Sequence, residues 1–168
     1  MTAPNANPIV LVIFYCRDGE TEKLALAAAV GAVQKRADIR LRRLPDTSEP
    51  AEAGDDFKRM RKEYIPPAER DILLADAVVF AASSRDGSGF PEWTHLFGLL
   101  GRMRDEGKLE GKAAGAVSDE SATLVSFSSA LLNLGFVTAP VGVGEPVDRS
   151  TAQGRRVAAV ARSLKNGR

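Results

Sequence analysis

The segment "FYCRDGETEK", Phe14–Lys23, joins a short apolar run to a run with helical spacing. Gly19 and Thr21 stand where a tight turn would lead into the first turn of that helix. Backbone N–H groups at a helix N-terminus attract and bind phosphate. The same spacing is also typical of a plain turn with a helix cap. The residues therefore leave two alternatives open, a phosphate-binding turn and a turn without a ligand.

Carboxylates in this turn argue against phosphate binding. Asp18, Glu20 and Glu22 all lie within it. Two like charges about 4 Å apart repel each other by roughly 4 kcal/mol at an effective dielectric near 20. Carboxylates that point into solvent are screened and nearly harmless. We therefore expect any phosphate held here to bind weakly. The loss of affinity depends on whether Asp18 and Glu20 point toward the phosphate or into solvent.

Cys16 raises the possibility of a thiolate nucleophile after the first strand. A phosphatase of that kind needs a cationic phosphate clamp six positions later, and that position is occupied by Glu22. A carboxylate there would repel both the thiolate and its substrate. The sequence therefore favours a small, buried, unreactive Cys16.

A second loop, "SSRDGS", follows the third apolar run and spans Ser83–Ser88. Loops at the carboxyl ends of parallel strands are where such sheets bind ligands. The Arg85 guanidinium and nearby backbone N–H groups could stabilise an electron-rich ring. The alternative is a surface loop with a local Arg85–Asp86 pair.

Five acids map to one edge of the predicted sheet: Asp18, Glu20, Asp86, Asp119 and Glu120. Oxygen ligands of this kind suit a divalent metal ion. Carboxylates are also favoured in the first turns of helices, and each of these lies at or near one. No ligand spacing distinguishes a metal site, so we favour helix capping and predict no metal.

The elements that must position these loops follow from hydrophobic patterning. Apolar runs predict buried parallel strands at Ile9–Tyr15, Ala77–Ala82, Ala113–Val117 and Val137–Val141. Ile39–Leu44 alternates apolar and basic residues, which predicts an edge strand with one wet face. Helical spacing covers Glu20–Lys35, Glu92–Arg104, Ser121–Leu134 and Arg149–Leu164, with a further helix in "AERDILLADA". We interpret 46–70 as a loop that carries one short amphipathic helix, Phe57–Tyr64, a possible subunit interface.

A strand followed by a helix, five times over, predicts an α/β fold with helices on both faces of a parallel sheet. Five strands favour the flavodoxin-like three-layer sandwich with strand order 2-1-3-4-5. We expect residues 1–168 to form a single domain.

Composition bounds the class of protein. A net charge of +1 on 168 residues implies no general attraction to nucleic acid or to a membrane. A single cysteine excludes an internal disulfide, which fits a reducing compartment. The polar N-terminus and the short apolar run after it predict neither a signal peptide nor a membrane span. We therefore expect a cytoplasmic protein.

Over almost its whole length the chain resembles the flavodoxin-like NAD(P)H:quinone oxidoreductases of the WrbA type. In that family the first loop, Ser-x-x-Gly-x-(Thr/Ile), cradles the phosphate of flavin mononucleotide (FMN). Gly19 and Thr21 match that pattern, and Cys16 replaces the serine. The second loop of the family, Pro-Thr-Arg-x-Gly-Asn, runs along the flavin, and Arg85 and Gly87 match it. The third is glycine-rich in the family, whereas this chain has "SDES" at 118–121.

The resemblance implies an FMN-dependent oxidoreductase that passes reducing equivalents from NAD(P)H to a small quinone-like electron acceptor, and a homodimer or homotetramer. It implies no catalytic residue. The implied FMN-binding residues are Cys16, Arg17, Gly19, Glu20, Thr21, Ser83, Ser84, Arg85, Asp86, Gly87, Ser88 and Ser118. The acidic first loop and the shortened third loop keep an alternative open, a flavodoxin-like binding or interaction module that has lost FMN.

Overall fold

The computed structural model describes residues 6–83 and 91–167. Strands and helices alternate along the chain as β1 (Ile9–Phe14), α1 (Glu20–Gln34), β2 (Asp38–Arg43), α2 (Asp55–Glu63), α3 (Glu69–Leu74), β3 (Ala77–Ala81), α4 (Pro91–Asp105), β4 (Ala113–Val117), α5 (Ser121–Asn133), β5 (Val137–Thr138) and α6 (Pro146–Asn166). None of the described helices combines the length and the apolar character that crossing a membrane requires.

The five strands form one parallel sheet in the order β2-β1-β3-β4-β5. In β1, Val10 pairs with Ile39 of β2 on one side and with Ala77 of β3 on the other. This confirms the predicted flavodoxin-like topology, including the position of β2 outside β1.

The central strands are buried on both faces, as their continuous apolar runs predict. One face packs against α1 and α6 through alternate residues such as Val10, Val12 and Val79. The opposite face packs against α3, α4 and α5 through Leu11, Ile13 and Phe80. The protein therefore has two apolar cores separated by the sheet.

Two predictions need correction. The run 137–141 was expected to be a buried strand, but β5 contains only Val137 and Thr138, lies at the sheet edge and leaves Val137 exposed. Pro140 follows shortly and has no N–H to donate to the ladder, so the chain leaves the sheet there. The helix expected at 57–64 is α2, which spans Asp55–Glu63 instead; its apolar side chains Phe57 and Met60 are buried in the protein itself, and its role at a subunit interface stays a prediction.

Helices α1 and α6 touch backbone to backbone where they cross. A Cβ atom built on Gly154 would lie 1.9 Å from the carbonyl oxygen of Ala28, and one built on Gly31 would lie 1.9 Å from that of Thr151. No side chain fits at either point, so glycine at both positions allows this approach. The crossing fixes where each helix begins relative to the other.

We expect Gly154→Ala to destabilise the protein by about 2 kcal/mol, the cost of forcing extra atoms into a packed contact. Alanine gains about 1 kcal/mol of helix propensity over glycine, so a well-packed crossing must outweigh that gain. The measurement is urea unfolding followed by circular dichroism. Gly101→Ala in α4 is the control, since no atom lies within 4 Å of its added Cβ, and it should be neutral or stabilising. Equal stability of both variants would show that the crossing is not tight.

Candidate functional site

A cleft of about 390 Å³ lies at the carboxyl edge of the sheet. Its first wall is the start of α1 with the turn before it: Asp18, Glu20, Thr21, Lys23 and Leu24. The other walls come from the ends of β3 and β4 and the start of α6: Ser83, Asp119, Glu145, Pro146 and Val147. The N-termini of two helices therefore meet in one cleft, where parallel α/β sheets bind ligands.

Gly19 makes the turn that begins α1. Its φ of +84° is in the left-handed region, which favours glycine. The first hydrogen bond of the helix runs from the N–H of Lys23 to the carbonyl of Gly19, at 3.2 Å. The N–H groups of Thr21 and Glu22 precede that bond and so have no acceptor within the helix.

Thr21 adds a side-chain donor at the same place. The residue is only 1% exposed, and its Oγ1 has no hydrogen-bond partner among the described residues. An unsatisfied buried hydroxyl costs about 1–3 kcal/mol, so native proteins rarely leave one without a reason. Thr21 lines the cleft, so its hydroxyl is placed to bind a ligand there.

The acids of the turn take different positions. The Oδ1 atom of Asp18 accepts the backbone N–H of Glu20 at 3.1 Å. The Glu20 side chain is exposed and pairs with Lys23 at 2.7 Å. Asp18 therefore caps the helix, as the capping interpretation predicts, and takes up one N–H that an anion would otherwise use. Glu20 faces solvent.

Glu22 is buried in a network with α2. Arg59 donates two hydrogen bonds to its carboxylate, at 3.0 and 2.6 Å, and the Tyr64 hydroxyl donates a third at 2.6 Å. The hydrogen bonds from Arg59 lower the pKa of Glu22 despite its burial. Burial and the bond to Glu22 raise the pKa of Tyr64. This network holds the first turn of α1 against α2 and directs the Glu22 carboxylate away from the cleft.

Arg17 is directed to the opposite side of the turn. Its Nε donates to the hydroxyl of Tyr15 at 2.7 Å, and its Nη2 donates to the carbonyl of Ser48 at 3.2 Å. Burial raises the pKa of Tyr15, so the phenol stays neutral in this network. Arg17 does not line the cleft.

The other predicted site residues differ in whether they reach the cleft. Cys16 is 1% exposed with its Sγ 3.6 Å from the sulfur of Met60, which agrees with a buried, unreactive thiol. Ser118 is buried, and its hydroxyl accepts the N–H of Glu120 at 3.3 Å. Ser83 lines the cleft. The remaining predicted residues, Ser84, Arg85, Asp86, Gly87 and Ser88, lie outside the described residues.

Sequence reasoning missed the contribution of Glu145, Pro146 and Val147. They begin α6, with Pro146 in its first turn. A proline preceded by an acidic residue is a signal for a helix start, and it would have placed this start three residues before the predicted one. No group of three or more metal-ligating side chains occurs among the described residues.

Solved structures with the same architecture define the class. A WrbA-like flavodoxin from Agrobacterium tumefaciens superposes with a TM-score of 0.64 at 18% identity, over 93% of this chain and 98% of that one. Two-electron reduced flavodoxin from Megasphaera elsdenii gives a TM-score of 0.61 at 13% identity, over 92% and 98%. At these identities the likeness establishes the fold, which is that of a flavodoxin.

Sequence comparison names the family. A NAD(P)H dehydrogenase (quinone) from Caulobacter vibrioides is 30% identical over 135 residues, covering 75% of this chain and 67% of the relative. One from Archaeoglobus fulgidus is 27% identical over 187 aligned residues, covering 92% and 98%. No family model matches the sequence. The chain belongs to the family of NAD(P)H dehydrogenases (quinone).

The Glu22 network makes a pH-dependent contribution to stability. We expect Glu22→Gln to lower the free energy of unfolding by about 2 kcal/mol at pH 7, the range for hydrogen bonds to a charged group. Because the pKa of Glu22 is lowered in the folded state, its contribution is present above its unfolded value, about 4.3. That contribution is lost as the pH falls through the folded value. The difference between wild type and variant should therefore shrink in acid.

Urea unfolding from pH 7 to pH 3 measures this difference. Glu20→Gln, two residues away and exposed, is the matched control and should follow the wild type throughout. A Glu22→Gln effect that does not change with pH would contradict an ionised, hydrogen-bonded Glu22.

Proposed function

We propose that the protein is an FMN-dependent oxidoreductase that passes reducing equivalents from NAD(P)H to a small quinone-like acceptor. The flavodoxin fold and the relatives named NAD(P)H dehydrogenase (quinone) support this class. The observation that carries the cofactor assignment is the unpartnered, buried hydroxyl of Thr21 at the start of α1.

The residues present fit a phosphate group at this point. The Thr21 hydroxyl and the N–H groups of Thr21 and Glu22 give three donors at one helix N-terminus, where the helix dipole also favours an anion. Gly19 provides the turn that exposes them. FMN, when bound, supplies the chemistry of accepting and releasing hydride equivalents. The task of the chain is to hold it.

The apolar side chains at the cleft have a second task. Leu24 belongs to α1, whereas Pro146 and Val147 belong to α6. Both helices therefore contribute apolar surface beside the groups that would donate hydrogen bonds to phosphate. Such surface excludes water from a bound ring, which strengthens polar interactions at the site. Ser83 stands where the predicted flavin-side loop begins, and we retain Ser83–Ser88 as the proposed flavin-side segment.

Asp18 limits the affinity. Its carboxylate accepts the N–H of Glu20, so an incoming phosphate meets a negative charge and one donor fewer. Repulsion of about 4 kcal/mol at 4 Å would be half of the roughly 8 kcal/mol that micromolar binding represents; because Asp18 is itself exposed, solvent screening makes the repulsion smaller than that. Glu20 faces solvent and costs little because it is screened. We therefore propose FMN binding that is weaker than in relatives whose loops are uncharged.

The hydrogen bond from the N–H of Glu20 to the Asp18 carboxylate also supports a second candidate function. A carboxylate that caps the helix in place of a phosphate oxygen is what a flavodoxin-like binding or interaction module that has lost FMN would contain. The two functions differ in whether the phosphate of FMN can displace the Asp18 carboxylate from the N–H of Glu20.

Replacing Thr21 by valine tests the cofactor assignment. We expect Thr21→Val to weaken FMN binding by about tenfold, since one hydrogen bond to phosphate contributes on the order of 1.4 kcal/mol. The flavin-free protein should be equally stable or more stable, because the unsatisfied hydroxyl is gone. The measurements are FMN fluorescence titration and urea unfolding of flavin-free protein.

Two further variants complete the experiment. Thr123→Val on α5 is the control for FMN binding, which it should not change; it removes one exposed hydrogen bond to Glu120, so stability should stay the same or fall slightly rather than rise. Asp18→Asn combined with Glu20→Gln should tighten FMN binding. Absence of FMN binding by both the wild type and this double variant would favour the cofactor-free module, and a Thr21→Val variant with unchanged affinity would remove Thr21 from the site.

A further inference from the structure

A second cavity lies beside α5, next to the cleft that the start of α1 lines. Its volume is about 600 Å³, larger than the roughly 390 Å³ of the cleft. One wall is a face of α5, and the other is formed by residues 141–144. We call this cavity the α5 groove. The α5 residues that line it are Ser121, Leu124, Val125, Ser128, Ser129 and Leu132.

The groove is open because β5 ends early. The strand β4 contains five residues, but β5 pairs only with the first two of them, Ala113 and Ala114. Pro140 then takes the chain out of the ladder, and residues 141–144 run outside the sheet. The flank of α5 that a longer β5 would have covered therefore stays open.

The outer wall of the groove is held by α6. Arg156 donates to the carbonyl of Pro140 at 3.4 Å. Its Nη1 atom also lies 2.6 Å from the position that a Cβ atom on Gly142 would take. Gly144, with a φ of +119°, turns the chain toward the start of α6. Packing against α6, and not strand pairing, positions this wall.

The lining suits an elongated apolar ligand. Leu124 is buried, whereas Val125, Leu132 and Val143 are 69%, 61% and 98% exposed. Exposed aliphatic side chains gathered around one cavity mark a binding surface. Small-molecule sites commonly enclose about 300–1,000 Å³ and are mainly apolar with a few polar groups. From Ser121 to Leu132 the helix rises by about 16 Å, so the groove is long as well as apolar.

One cation stands at the end of the groove where α5 begins. Arg149 is the only charged side chain among the described residues that line the groove. Its Nη2 donates to the carbonyl of Ser118 at 2.8 Å, which holds the guanidinium at the end of β4. Arg149 forms no salt bridge within the described residues. A guanidinium has five N–H donors, so others are left for a ligand oxygen.

The groove adjoins the cleft at the same end. Asp119 lines the cleft and Ser121 lines the groove, and in α6 the corresponding residues are Val147 and Arg149. In both segments the two cavities are thus two residues apart. A ligand with an oxygen bound to Arg149 could therefore extend into the cleft on one side and along α5 on the other.

We propose that the α5 groove binds the hydrocarbon chain of the electron acceptor, which is then an amphipathic quinone with a long aliphatic tail. Arg149 binds a carbonyl oxygen of the ring, and the tail lies along Leu124 toward Leu132. This inference rests on the proposed function, because the flavin in the cleft is what gives the ring its place.

A short peptide helix is the other occupant that a groove of this length could take. Protein interfaces are commonly anchored by Trp, Tyr and Arg side chains in well-packed pockets, and the described lining contains no aromatic side chain. A junction with the cleft matters only to a ligand that reacts there. These observations favour the quinone.

Calorimetric titration of flavin-free protein tests the groove independently of the cofactor. The probes are decylubiquinone, which carries a decyl chain, and the same dimethoxy-methyl-benzoquinone ring without the chain. Each buried methylene group strengthens binding about fourfold, so two of them already give more than about tenfold. We expect decylubiquinone to bind at least about tenfold more tightly than the chainless quinone.

Three variants locate the two parts of the ligand. Val125→Glu places a carboxylate on the groove wall and should weaken decylubiquinone binding by about tenfold, with the chainless quinone unaffected. Val30→Glu is the matched control, a 53% exposed valine on α1 across the sheet, and it should bind both quinones like the wild type. Arg149→Gln should weaken both quinones by the same factor, because the ring is common to them.

Failure of the wild type to bind decylubiquinone, or equal affinity for the two quinones, would overturn the proposal. Unchanged decylubiquinone binding by Val125→Glu would overturn it as well. A wild type that binds neither quinone, but whose α5 amide signals shift with an amphipathic leucine–lysine peptide, would assign the groove to a protein partner instead.

The proposed function can fail separately. Tight decylubiquinone binding by a protein that transfers no reducing equivalents when loaded with FMN would leave the groove site standing and contradict only the proposed function. Reduction of both quinones by the FMN-loaded protein with equal KM values would support the proposed function and contradict the groove.

Discussion

The structure depends on one contact that contains no side chain, the crossing of α1 and α6 at Gly31 and Gly154. Packed interiors leave no room for even one added methyl group, and here the neighbouring atom is a backbone carbonyl that cannot rotate away. The crossing fixes α6 beside α1 over the shared face of the sheet. Because both helices begin at the cleft, the same contact sets the width of the cleft and the registration of its two helix N-termini.

Three acids follow the first strand, and the fold gives them three roles. Asp18 caps the helix, Glu20 faces solvent, and Glu22 is buried against Arg59 and Tyr64. Asp18 and Glu20 both line the cleft beside the donors of α1, and Glu20 is paired with Lys23. The repulsion of an anion by these three acids therefore comes mainly from Asp18. The Asp18 carboxylate also accepts the N–H of Glu20, which an anion would otherwise use. The turn therefore combines the hydroxyl and N–H groups that we propose bind phosphate with a carboxylate that competes for one of them.

Much of the fold could be predicted from the sequence because burial on both faces of a strand leaves a continuous apolar run. Such runs located β1, β3 and β4 and led to the correct strand order. β5 was predicted too long, since its apolar residues continue past Pro140, where pairing stops. The close approach of α1 and α6 could not be predicted, because a glycine within a helical pattern does not show which chain it faces.

The candidate site was only partly predictable. Gly19 and Thr21 carry a local signal, a turn followed by a helix start, and the structure places Thr21 at the cleft. The direction of Arg17 depends on Tyr15 and Ser48, and the latter is 31 residues away in the chain. Its orientation is therefore a tertiary property. Glu145 and Val147 reach the cleft through the path of α6, which local patterning does not specify.

The central claim is that the start of α1 holds a phosphate through Thr21 and Glu22. Two-dimensional ¹⁵N NMR of the wild type, titrated in parallel with FMN and with riboflavin, tests it most directly. We expect FMN to shift the backbone amide signals of Thr21 and Glu22 strongly, in the direction of hydrogen bonding to an anion, and riboflavin, which lacks the phosphate, to leave them nearly unchanged. Saturation with FMN that leaves these two amides unmoved, or equal shifts with both flavins, would contradict the account.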